Sequence, residues 1–96
     1  MKPSVALDAN REAVRRIVLA HRALNPRVFG SVVRGADTAA SDLDLLVEPT
    51  RETTLMDIGA IRHELLQLLG VSVDVVTPRG LPSKFRDAVL AEAIPV

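Results

Sequence analysis

The chain has no cysteine, tryptophan or tyrosine, and its only aromatic residues are Phe29 and Phe85. Without cysteine there is no disulfide framework and no thiolate metal site. With so few rings, any flat ligand would have to rest largely on aliphatic side chains. An excess of one charge is also missing: 12 basic and 12 acidic residues leave a net charge of zero. That argues against non-specific nucleic-acid binding, which normally shows a basic surplus, so no direct nucleic-acid contact is expected. A nucleotide substrate stays compatible. No apolar run approaches the roughly 20 residues that span a bilayer. The N-terminus lacks the apolar segment of a signal peptide. A cytoplasmic protein with no membrane partner is expected.

What is present suffices for one domain over residues 1–96, 48% of them hydrophobic. A chain this short buries only about two-thirds of the surface it exposes unfolded. There is little room for a separate substrate-recognition domain. Residues 1–7 read as a lead-in. Asp8 or Asn10 can cap a helix running to about Leu24, with Val14, Ile17, Val18, His21 and Leu24 at helical spacing. Asn25-Pro26 is expected to end it. Arg27 to Phe29 reads as a brief strand, and Val32 to Arg34 as a short helix. Asp42 to Glu48 reads as a second strand, closed by Pro49. Thr53 or Thr54 can cap a helix over about Leu55 to Leu69, whose inner stripe is Ile58, Ile61, Leu65 and Leu68, with Gly70 as its C′ residue. Val71 to Val76 is a β-branched third strand. Ser83 can cap a last helix over about Lys84 to Ala93. The order α-β-(α)-β-α-β-α describes a small α/β domain with a helix-covered sheet.

The informative stretch is Gly30-Ser31, Arg34-Gly35 and Ser41-Asp42-Leu43-Asp44. In a strand, residues i and i+2 share a face. Asp42 and Asp44 therefore project together, opposite Leu43, Leu45 and Val47. Adjacent carboxylates disfavour one another's ionisation, and a divalent cation relieves that conflict. Magnesium is usually held by one or two carboxylates plus substrate phosphates. A small-residue turn nearby offers N–H groups to those phosphates. The pieces read as a nucleotide-phosphate site, with Gly30, Ser31, Arg34 and Ser41 as candidate nucleotide-binding residues. Ser31 can donate through hydroxyl and backbone. Arg34 can bridge phosphates, or pair with an acid and orient the loop; the second role is favoured. Ser41 most readily turns the chain into the strand.

Asp74 belongs to the same argument. It lies in the otherwise apolar Val71–Val76 run, on the face opposite Val71, Val73 and Val75. A charge there is costly unless paired or metal-bound. A solvated or arginine-paired edge aspartate is the alternative. Beside Asp42 and Asp44 on a neighbouring strand, metal ligation is the better account. His21, on the apolar stripe of the first helix, reads as a partly buried structural histidine, and His63 as a solvated one.

These motifs resemble the DNA-polymerase-β-like nucleotidyltransferase superfamily. The short length resembles its minimal branch, the MNT-type antitoxins paired with HEPN-domain toxins. The resemblance implies a mixed three-stranded sheet flanked by helices. It implies that Asp42 and Asp44 bind magnesium (Mg2+), that Asp74 completes the catalytic metal site, and that Gly30 and Ser31 hold the triphosphate. The implied reaction transfers AMP from ATP to a tyrosine hydroxyl of a HEPN RNase toxin, silencing it. An antitoxin acting by binding alone, and a nucleotidyltransferase acting on a small molecule or RNA end, are the competing functions.

Overall fold

The computed structural model describes all residues, 1–96. The chain runs α1 (Pro3–Asp8), α2 (Arg11–Ala20), β1 (Ala23–Phe29), a 3-10 turn (Gly30–Val32), β2 (Leu43–Pro49) and α3 (Leu55–Leu69). It continues through β3 (Val73–Val76), a second 3-10 turn (Pro78–Gly80), α4 (Ser83–Glu92) and β4 (Ile94–Pro95). The strands form one mixed sheet in the order β3-β2-β1-β4. β1 pairs antiparallel with β2 and with β4, whereas β2 and β3 are parallel. A parallel pair needs a crossover, and α3 supplies it.

The sheet has four strands, not the three implied by the resemblance. The fourth is a two-residue strand, with Arg27 opposite Pro95 and Val28 opposite Ile94. A stretch that short carries no period-2 pattern, so only its partner reveals it.

The long helix formed where expected because its ends are well signalled. Thr54 and Asp57 make a reciprocal capping box at the start of α3. Gly70 closes it at φ 67°, a left-handed conformation that glycine adopts without a Cβ penalty. No helix is long and apolar enough to cross a membrane.

The N-terminal third differs from expectation. The lead-in is helical: α1 opens with Pro3, whose missing N–H is no loss at a first helical position. The Ser4 N–H that follows donates to Asp37 Oδ2 at 2.9 Å, a bond across 33 residues. α2 stops at Ala20, four residues before Leu24, because Arg22 takes φ 64°. The Arg22 carbonyl accepts hydroxyls from Thr50 at 2.8 Å and Thr53 at 2.5 Å. Its guanidinium donates to Asp57 at 2.9 Å. Asn25-Pro26 does not end a helix. It sits inside β1, where the register with β2 shifts between Leu24 and Arg27 and Asn25 adopts φ 50°. Proline cannot donate to a ladder, and asparagine tolerates left-handed backbone, so together they make a bulge.

One face of the sheet carries the core. Val28, Leu43, Leu45, Val47, Val73 and Val75 pack with Leu7, Val14 and Val18 of the N-terminal helices and Ile61, Leu65 and Leu69 of α3. Burying the apolar side chains of β2 on that face turns Asp44 to the other. His21 is partly buried as expected, hydrogen-bonded to Glu64 and near Asp57. His63 is exposed.

Candidate active site

Three strands meet in one row. Phe29 at the end of β1 pairs with Asp44 of β2, and Asp44 pairs with Asp74 of β3. Paired residues on neighbouring strands point to the same face, with strands about 4.8 Å apart. Asp44 and Asp74 are thus brought side by side; Asp42, expected to open the strand, stands just before β2, near enough for its charge to act on Asp44. Asp44 is partly buried; Asp42 and Asp74 are exposed.

The electrostatics follow. Burial pushes the Asp44 carboxyl above its ordinary range, and the nearby charges of Asp74 and Asp42 push it further, while Arg34 opposes them. An ionised Asp44 is under strain that a cation would relieve. The donor set fits magnesium, since carboxylate oxygens are the hard ligands it takes. No three acidic or histidine side chains converge tightly enough to enclose an ion by themselves. The three carboxylates expected to converge on a metal, Asp42, Asp44 and Asp74, do not form such an enclosed set.

The chain leaves β1 directly into the 3-10 turn at Gly30. Gly30 has φ 78°, and a Cβ placed there would overlap the Asp44 carboxylate. A side chain is therefore excluded twice, by backbone conformation and by space. The turn closes with Arg34 N–H donating to the Gly30 carbonyl at 3.2 Å and Ala36 N–H to the Ser31 carbonyl at 2.9 Å. Ser31 stands half-buried at its head. Ser41 accepts the Thr38 N–H at 2.8 Å on its hydroxyl and so shapes the loop that presents Asp42.

A cavity of about 440 Å³ opens against this corner. Gly30, Arg34 and Asp44 line one side, with Phe29 beside them. α4 supplies the other side with Phe85, Ala88, Val89 and Glu92. Of the expected site residues, Asp42, Ser31, Ser41 and Asp74 lie outside the lining. Both aromatic residues of the chain are at the cavity, so aliphatic side chains are not alone in offering a surface to a base. Lys84 Nζ lies 5.6 Å from the Phe85 ring centroid. Arg86 is taken up structurally, donating to the carbonyls of Pro78 and Leu81, each at 2.9 Å.

Sequence reasoning missed Glu92. Its Oε2 accepts the Gly30 N–H at 3.1 Å and its Oε1 accepts Arg34 Nη1 at 2.8 Å. Arg34 thus pairs with an acid, the favoured of its two expected roles, and the acid comes from the far end of the chain. The available signal was helical spacing: Phe85, Ala88, Val89 and Glu92 follow i, i+3, i+4, i+7 and share a face.

Comparison with known proteins agrees with this geometry. Residues 11–96 match the nucleotidyltransferase domain family. A Methanocaldococcus jannaschii protein named as a protein adenylyltransferase is 35% identical over 80 residues, covering 83% of this chain and 86% of its own length. The protein adenylyltransferase MntA of Thermococcus cleftensis is 37% identical over 67 residues, 70% of this chain and 68% of that protein. A solved structure described as a minimal nucleotidyltransferase superposes with a TM-score of 0.87 at 47% identity, covering 97% of this chain and 95% of that one. A toxin–antitoxin structure with AMP-PNP shares the fold, at TM-score 0.76 and 18% identity over 90% of this chain and 71% of that one. With the polymerase-β-like sheet, the Gly-Ser turn and the paired aspartates in place, this chain belongs to the nucleotidyltransferase family, in its minimal branch.

Proposed function

We propose that this chain is a Mg2+-dependent protein adenylyltransferase that moves AMP from ATP to a tyrosine hydroxyl of a partner HEPN RNase toxin, and so acts as its antitoxin. One observation carries the reading: Asp44 is set beside Asp74 across the ladder and against the Gly30 backbone. That juxtaposition puts the Asp44 carboxylate on the wall of a cavity of about 440 Å³. The names of the adenylyltransferase relatives and of the toxin–antitoxin structure with AMP-PNP support a protein acceptor, a toxin partner and an adenine nucleotide.

In this mechanism the acceptor oxygen attacks the α-phosphorus of ATP. The bond from that phosphorus to the bridging oxygen breaks, and pyrophosphate leaves with the electron pair. The acceptor proton passes to Asp74. Gly30, Ser31 and Arg34 hold the triphosphate, and Asp42 and Asp44 would hold the magnesium, which supplies charge neutralisation at the transferring phosphate when bound. Catalysis of this kind relies on positioning and electrostatics rather than covalent work by the protein. A chain of 96 residues has enough structure for that. The partner, being the acceptor, supplies the remaining wall.

Label transfer from α-³²P-ATP with Mg2+, to the product of the neighbouring gene, tests the proposal. Label on a tyrosine of that partner, lost in Asp42→Asn/Asp44→Asn, is the expected result. A stable complex that never takes label would replace it with neutralisation by contact. Label on RNA or a small molecule instead would move the acceptor.

A further inference from the structure

Two of the three residues assigned to the triphosphate, Gly30 and Arg34, already have donors engaged in this fold. Glu92 stands on the last turn of α4 and reaches across the cavity, spanning the Gly30 N–H with one oxygen and the Arg34 guanidinium with the other. A backbone N–H and an arginine on two oxygens of one anion is also how a phosphate is gripped. Electrostatics do not favour an acid here: Glu92 adds to the negative charge that raises Asp44. The two donors hold it in place against that repulsion.

We infer that Glu92 is a built-in stand-in for a nucleotide phosphate, so that a triphosphate enters only by displacing its carboxylate from Gly30 and Arg34. This rests on the nucleotide reading of the site and assigns Glu92 as a residue that sets its ligand selectivity. A triphosphate brings several negative charges to donors that satisfy a single charge on Glu92. A neutral nucleoside brings none and leaves Glu92 seated. The exchange needs little rearrangement of the fold. Immediately after Glu92 and Ala93, β4 is fastened independently: Ile94 and Pro95 pair with β1, and the Val96 N–H donates to the Pro26 carbonyl at 3.0 Å. Arg15 donates to the Val96 carbonyl at 2.8 Å. The side chain of Glu92 can therefore swing out while the end of the chain stays pinned.

The test is calorimetric titration of wild type and Glu92→Gln with a non-hydrolysable ATP analogue plus Mg2+, with tripolyphosphate, and with adenosine. Charge-assisted hydrogen bonds of this kind correspond to roughly a ten- to hundredfold change in affinity. Glu92→Gln should tighten the analogue and tripolyphosphate by about that factor and leave adenosine unchanged. Glu92→Asp, one methylene too short to span both donors, should tighten them as well, and guards against a folding defect in the glutamine variant. Weaker or unchanged triphosphate binding overturns the inference and makes Glu92 a positioning residue for Arg34. Equal tightening of adenosine also overturns it, since that means α4 has simply loosened. If wild type and both variants bind no triphosphate at all, the nucleotide reading falls and the inference falls with it.

Discussion

Asp57 at the head of α3 and Asp44 in the middle of the sheet are the same side chain in opposite surroundings. The Asp57 carboxylate accepts the Thr54 N–H at 2.9 Å and Arg22 Nη1 at 2.9 Å. These donors, the Thr54 N–H foremost, hold its carboxyl below the ordinary range. Asp37 is likewise lowered, chiefly by the Ser4 N–H. Asp44 faces burial and the acids Asp74, Asp42 and Glu92, with Arg34 alone opposing, and is raised. The capped end of the molecule spends its acids on holding elements together. The cavity end keeps acids in mutual repulsion, which weakens the fold and suits a cation and a polyphosphate. Stability and function are thus separated in space, in line with the general trade between them.

Four measurements sharpen or break that contrast. The largest effect is on transfer: Asp44→Asn should lower the rate of label transfer by about 10²–10³-fold, the scale of losing a key electrostatic group. An unchanged rate would detach the cluster from catalysis. Next, Thr54→Ala should cost about 1 kcal/mol by removing the side-chain cap. For a domain of this size that lowers Tm by about 4–8 °C in thermal denaturation, while transfer at 25 °C stays intact. Loss of activity in step with stability would show the two regions are not separate.

The third effect has the reverse sign. Asp44→Asn should raise the Tm of the metal-free protein at pH 7, because a neutral amide removes the repulsion. Discounting for partial exposure gives about 0.5 kcal/mol, or about 2–4 °C. A fall in Tm would mean the pairing with Arg34 outweighs the crowding. The smallest effect is a pH slope. Asp44 is raised, so its penalty is full above its folded pKa and vanishes below the unfolded value of 3.8. The Tm advantage of Asp44→Asn should therefore close as pH falls toward 3.8. Asp57 is lowered, so its contribution is full above 3.8 and is lost as pH falls through its folded pKa. Asp57→Asn should accordingly flatten the acid limb of the Tm–pH curve.

Much of the fold was legible where signals are local. The Leu55–Leu69 helix, its threonine cap and Gly70 were all readable, because helix ends are encoded within a few residues. The alternation through Leu43, Asp44 and Leu45 named the buried and the acidic faces before any partner strand was known. Asn25-Pro26 misled because a turn dipeptide and a strand bulge share the same chemistry, and only pairing with β2 chooses between them. The early end of α2 was hidden for a related reason. It depends on Thr50, Thr53 and Asp57, which approach Arg22 only after the sheet forms.

The sequence by itself determined the acidic pair, the Gly-Ser turn and the face on which Asp44 stands, since strand alternation and turn chemistry act over a few residues. Only the tertiary structure decided that Asp74 lies directly beside Asp44, that Gly30 must lack a side chain to clear that carboxylate, and that Glu92 returns across 62 residues to Gly30. Those contacts join strands and helices distant in the chain. Their geometry is set by sheet register and helix packing, which no local pattern encodes.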